Sequence, residues 1–241
     1  MATTYTKLIS ALRTATGCEV HVPRLLSVNG ARPPSADLHT HTALVRSYVE
    51  SLVEAGRKVI VLMHSYGGTR PTGLASGVSH LMYMTASALS PGQYMMSKVR
   101  ESGHEELVPL AFDFADDNTV LSRDPRTLLI GETPGIAEKE VEEYLGTLVR
   151  WNGRCKYQEL ENCAWKEIPV TYILTTLDMT LRLGYQTSMV EEMRKQGREV
   201  KSVQIETGHC PNLTATGEVV DVVKDAIAGK IPDKREGSMR I

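Results

Sequence analysis

The spacing of apolar residues changes period repeatedly along this chain. Tyr5, Leu8, Ile9 and Leu12 recur at helical spacing and Gly17 stops them, and Leu44, Val45, Tyr48, Val49, Leu52 and Val53 repeat the pattern before Gly56. Between the two, Cys18 to Pro23 is short and valine-bearing, which predicts a strand. Lys58 to Met63 is a continuous apolar run, as expected of a central parallel strand covered on both faces. Ser79 to Met84, Ile168 to Leu174 and Val200 to Ile205 predict three more strands. Two further helices are predicted around Tyr185, Met189, Val190 and Met193, closed by Gly197, and around Val219, Val220, Val223 and Ile227, closed by Gly229. Strand alternating with helix implies an α/β fold with a mostly parallel sheet, right-handed crossovers and helices on both faces.

The alternation lapses between Leu89 and Trp165, where one helical stripe stands out, formed by Val141, Tyr144, Leu145, Leu148 and Val149. This stretch is too long for a simple loop. It predicts a helical cap insertion, about residues 90–166, lying over the carboxyl ends of the strands, where open α/β sheets place their ligands. The whole chain, 1–241, then reads as one domain, with a polar end from Lys230 onward expected to fray.

Candidate chemistry clusters at the ends of the predicted strands. His64-Ser65-Tyr66-Gly67-Gly68 follows the apolar run directly, and a serine on a tight strand-to-helix turn is the setting of a nucleophile elbow. Met63 stands where such elbows usually carry a glycine. A serine hydroxyl needs a base within hydrogen-bond reach and a third group to orient that base. Of seven histidines, His209 alone follows the last predicted strand, and Gly208 suits a loop turning back over the sheet. Asp178 lies beyond the carboxyl end of the preceding strand and is the expected orienting acid, with capping of the next helix as its competing role and Glu206 as a weaker alternative. His64 is assigned to packing around the turn, and His39 and His41 are expected to be solvated. Met82, Met84, Met95 and Met96, with Tyr94, are candidates for an apolar pocket.

Composition narrows the function classes. The 241 residues are 41% hydrophobic and 23% charged, with 27 basic and 29 acidic residues. That near balance argues against nucleic-acid or anionic-membrane partners, and no apolar run reaches the roughly 18 residues of a membrane span. The first residues lack the apolar core of a secretory signal, so a cytoplasmic location is expected. Cys18, Cys155, Cys163 and Cys210 lack metal-ligand spacing and are expected to remain thiols. The expected partner is a small-molecule substrate with no cofactor and no metal, and homodimerisation is left open.

On its motifs the chain resembles the small capped α/β-hydrolases, especially fungal members with an H-S-Y-G-G elbow, and more remotely the plant methyl-esterase and hydroxynitrile-lyase group. The resemblance rests on Val20-His21-Val22-Pro23-Arg24-Leu25, Val61 to Gly68, Ala164 to Tyr172 and Gly208-His209-Cys210-Pro211. It implies Ser-His-Asp chemistry, with the family roles falling on Ser65, Asp178 and His209 and the backbone N–H of Tyr66 as one oxyanion donor. Such proteins carry a strand and glycine-containing loop ahead of the helix that here begins near Tyr5. That strand normally separates those read at Cys18 and Lys58, and its loop supplies the second oxyanion donor. The resemblance therefore implies an ester or related acyl bond as the target, cleaved by a serine hydrolase shortened at its start, with lyase, cyclase or carbon-carbon cleavage, or ligand binding without catalysis, as the alternatives.

Overall fold

The computed structural model describes residues 3–66, 77–132 and 135–230. In chain order the strands are β1 (Val59–Ser65), β2 (Val78–Ala86), β3 (Phe112–Phe114), β4 (Thr119–Ser122), β5 (Trp151–Asn152), β6 (Val170–Thr175) and β7 (Val200–Ile205). The helices are α1 (Thr6–Thr16), α2 (Leu38–Glu54), α3 (Ser97–Glu101), α4 (Val108–Ala111), α5 (Glu138–Leu145), α6 (Leu183–Lys195), α7 (Pro211–Thr214) and α8 (Thr216–Ile227). Gly67 and Gly68, the elbow glycines, lie outside the described residues, as does the tail beyond Lys230.

The main sheet has the order β1-β2-β6-β7, parallel throughout. Side chains alternate across it, and each face has its own core. Val61 and Met63, Leu81 and Tyr83, and Tyr172 and Leu174 pack with α2 and α6. Ile60 and Leu62, Met82 and Met84, Ile173, and Val203 and Ile205 pack with α1 and α8. Burial of the sheet on both sides explains the continuous apolar run of β1, whereas the edge strand β7 carries Lys201, Ser202 and an exposed Gln204. Local signals set the helix ends: the Asp37 carboxylate accepts from the Thr40 N–H at the start of α2, and Gly17, at φ 68°, closes α1.

Two expectations need correction. Cys18 to Pro23 forms no strand. Among the described residues no strand pairs with the outer edge of β1, so this segment has no ladder to join. The Val59 N–H donates to Gly77 and the Ser65 carbonyl accepts from Ser87, so by alternation Ile60, Leu62 and His64 turn their backbone groups toward that open edge. The flanking segments do not close up. A cavity of about 1760 Å³ runs between them, bordered by Leu8, Leu12 and Val20 on one side and Ile60 and Leu62 on the other, and it continues to Ser65.

The segment 90–166 is not purely helical. It holds α3, α4, α5 and a small antiparallel sheet of order β3-β4-β5. Strands of two to four residues are too short for a legible alternation, and the connection between β3 and β4 turns on Asn118 at φ 65°. The stripe of the predicted helix is broken too, since α5 ends at Leu145 and Leu148 and Val149 lie beyond it.

Candidate active site

The carboxyl ends of β1, β2, β6 and β7 bring together residues far apart in the chain. Ser65 ends β1 at φ 54°, a left-handed backbone in which few non-glycine residues sit. Its Oγ lies 2.7 Å from Nε2 of His209, in the loop after β7. Nδ1 of the same ring lies 2.7 Å from Oδ2 of Asp178, in the turn after β6. Both His209 and Asp178 are buried. With Nδ1–H donating to the carboxylate, Nε2 is left to accept the Ser65 proton, the tautomer that general-base chemistry requires.

Asp178 is held on every side. Oδ1 accepts from the N–H groups of Thr180 and Leu181, both at 2.8 Å, and Oδ2 accepts from the hydroxyls of Thr175 and Thr85. Burial pushes the Asp178 carboxyl up, but the adjacent His209 ring and the bonds from His209, Thr85 and the Leu181 N–H outweigh it, holding the pKa below the ordinary value. The carboxylate thus orients His209 and shapes its own turn, while α6 starts only at Leu183 and has no side-chain cap. Glu206 is exposed and takes no part.

Gly208 is required where the histidine loop passes the chain at Ile130, because a Cβ there would stand 2.4 Å from the Ile130 carbonyl oxygen. His64 fastens the same loop. Its Nε2–H donates to the His209 carbonyl at 2.7 Å, so its Nδ1 accepts from the Tyr5 hydroxyl, also at 2.7 Å. Burial, then the neighbouring His209 ring, brings the His64 pKa down to about 4, and the ring stays neutral. Its packing role follows from where it sits.

His41 departs from expectation. It is buried, not solvated, with Nδ1 at 2.9 Å from Ser27 Oγ and 2.8 Å from the Tyr66 hydroxyl. Tyr66 is clamped between that ring and the indole of Trp151, at centroid distances of 4.7 and 5.1 Å. The clamp holds the residue that follows the serine. Helical periodicity does place His41 on the same stripe as Leu38 and Val45, a signal that its side chain faces inward.

Of the anticipated pocket residues, Met84, Met95 and Met96 border the cavity, while Met82 belongs to the core against α8 and Tyr94 does not border the cavity. Thr85 and Thr175 were missed, because a threonine at a strand end carries no mark in sequence of what it will face.

Comparisons with known proteins agree with this architecture. The model of the alpha/beta hydrolase family matches residues 2–222. A probable hydrolase R7 of a Phoma species is 25% identical over 235 residues, covering 92% of each chain. Among solved structures, a pyrethroid hydrolase from Sphingobium faniae superposes with TM-score 0.71 at 20% identity, over 94% of this chain and 93% of its own. A methylesterase from Arabidopsis superposes with TM-score 0.70 at 18% identity, over 94% of this chain and 93% of its own.

Proposed function

Given that the chain belongs to the alpha/beta hydrolase family, we propose that it is a serine hydrolase cleaving an ester or related acyl bond of a small, largely apolar molecule. The observation that carries this reading is the continuous line of two 2.7 Å hydrogen bonds from Ser65 through His209 to Asp178, at the wall of an apolar cavity. The names of the two structural neighbours, a pyrethroid hydrolase and a methylesterase, support it.

His209 Nε2 takes the proton of Ser65 as Oγ bonds to the carbonyl carbon, and the carbonyl π electrons pass to its oxygen. Asp178 stabilises the imidazolium that results. The Tyr66 N–H, steadied through its clamped side chain, donates to the oxyanion. On collapse the bond to the leaving oxygen breaks and His209 returns its proton there, releasing the alcohol and leaving acyl-Ser65. Water, deprotonated by His209, then cleaves the acyl-enzyme, and the acid departs with Ser65 restored. No cofactor enters this scheme.

The test is incubation with a fluorophosphonate probe and with 4-nitrophenyl butyrate. Covalent labelling at Ser65, with release of both nitrophenol and butyrate, is the expected result. A protein that neither labels nor turns over the ester would overturn the reading in favour of a ligand-binding member. Labelling without acid release would point to lyase or related chemistry on the same residues.

A further inference from the structure

Lys156 is a buried cation for which the acyl-serine scheme has no use. It ends a short turn of 3₁₀ helix, Gly153–Lys156, and is 2% exposed. Its Nζ stands 3.4 Å from the centroid of the Phe112 ring and 4.9 Å from that of Trp151. Among the described residues the ammonium makes no ion pair and no hydrogen bond. Lys98, the other buried lysine among them, pairs with Glu101 at 2.7 Å. Lys156, Phe112 and Trp151 all border the cavity that reaches Ser65, and the Trp151 indole packs on Tyr66, the residue after the nucleophile.

Burying an ammonium without a counter-charge is unfavourable, and aromatic faces offset only part of that cost. Burial accordingly lowers the Lys156 pKa to about 7. A purely structural cation is paired where it is made, or extends its charge into water. This one does neither, and it borders a cavity whose lining is mostly apolar, with Lys98, His104 and Arg182 among its polar residues. A positive charge on the largely apolar wall of the cavity that Ser65 also borders is a recognition point for the opposite charge on a bound molecule.

Resting on the hydrolase reading, we propose that Lys156, walled by Phe112 and Trp151, is a subsite for a carboxylate carried by the otherwise apolar substrate. The bound anion completes an ion pair that the protein leaves half made. Trp151 joins this subsite to the reaction centre, since it also packs on Tyr66.

Two measurements test the subsite. The first is calorimetric binding of 4-phenylbutyrate and of its neutral isostere 4-phenylbutyramide at pH 6.5. The carboxylate is expected to bind the parent at least tenfold more tightly, a preference that disappears in Lys156→Met and survives in part in Lys156→Arg. Equal binding of the two ligands by the parent, or no binding of the carboxylate, overturns the proposal. The parent comparison decides even if Lys156→Met fails to fold. The second is the ratio of kcat/KM for mono-4-nitrophenyl glutarate to that for 4-nitrophenyl butyrate, expected to fall at least tenfold in Lys156→Met. A merely structural lysine would leave that ratio unmoved, which counts against the subsite. If the parent turns over neither ester, the acyl-serine reading fails while calorimetry still decides the subsite.

Discussion

Ser65 ends β1 and Thr85 is the penultimate residue of the neighbouring β2, and both hold positive φ, 54° and 40°. Left-handed backbone is unfavourable for a serine and more so for a β-branched threonine, so surrounding contacts must hold both. For Thr85 the compensation is visible: its hydroxyl donates to Asp178, with both side chains buried. Thr85→Val keeps the shape and removes the donor. It is expected to cost about 1.5–3 kcal/mol of stability by urea unfolding, the usual range for a hydrogen bond to a charged group. It should also lower turnover, since the carboxylate then has one fewer fixed contact. Ser65→Ala and His209→Ala should each reduce kcat on 4-nitrophenyl butyrate by at least about 10³-fold, with similar losses because the residues act as a unit. Asp178→Asn should reduce it by up to about 10⁴-fold through the wrong histidine tautomer. Circular dichroism on the same samples separates loss of chemistry from loss of fold.

The loop after β7 is positioned by two devices, each with its own test. Gly208 lets it pass the Ile130 carbonyl, and Gly208→Ala must move one chain or the other. A displacement of about 1 Å at His209 is expected to cost about 10²-fold in kcat, with far less effect on KM. His64 grips the same loop through the His209 carbonyl, and only its neutral form suits the bond it accepts from Tyr5. Its folded pKa of about 4 lies below the unfolded value near 6.5, so the unfolded chain binds more protons between these limits. Stability from neutral His64 is therefore full above about pH 6.5 and is lost as the pH falls through about 4. His64→Gln, whose amide can still donate toward the His209 carbonyl, should unfold with a flatter pH dependence over that window than the parent. Identical slopes would mean that the histidine titrates normally.

Among the described residues, the sheet as a unit is open on one side. With β1 at its edge, the strand bearing Ser65 has half its backbone groups without a ladder among the described residues, and the cavity beside it runs on to Ser65. An edge strand is less firmly held than an internal one, and the proposed oxyanion site, with the Tyr66 N–H as one donor, is of a kind that uses two. A strand with a glycine-containing loop, joined ahead of Thr3 so that it lies against β1, is expected to raise the acylation rate about 10-fold or more. It should also raise the melting temperature. The comparison is of acylation rates on one substrate for the two chains, both folded. Equal rates would show that a backbone amide elsewhere already meets the oxyanion.

Much of this architecture was legible in the order of residues. Periodicity and glycine stops located α1, α2, α6 and α8, and short apolar or β-branched stretches located β1, β2, β6 and β7, because these signals are local. The meeting of Ser65, Asp178 and His209 was legible for a related reason: each follows a predicted strand end, and a parallel sheet gathers its carboxyl ends on one side. Pairing is different. Cys18 to Pro23 has the residues of a strand but no partner among the described residues, and strand formation depends on what lies alongside as much as on the segment itself. The short strands β3 to β5 depend on each other in the same way. Thr85 against Asp178, His41 beneath Tyr66 and Lys156 between two aromatic rings are contacts across 93, 25 and at most 44 positions. A residue's type limits what it can bond, but only the folded chain selects its neighbour, because burial and hydrogen bonding are satisfied in space and not along the sequence.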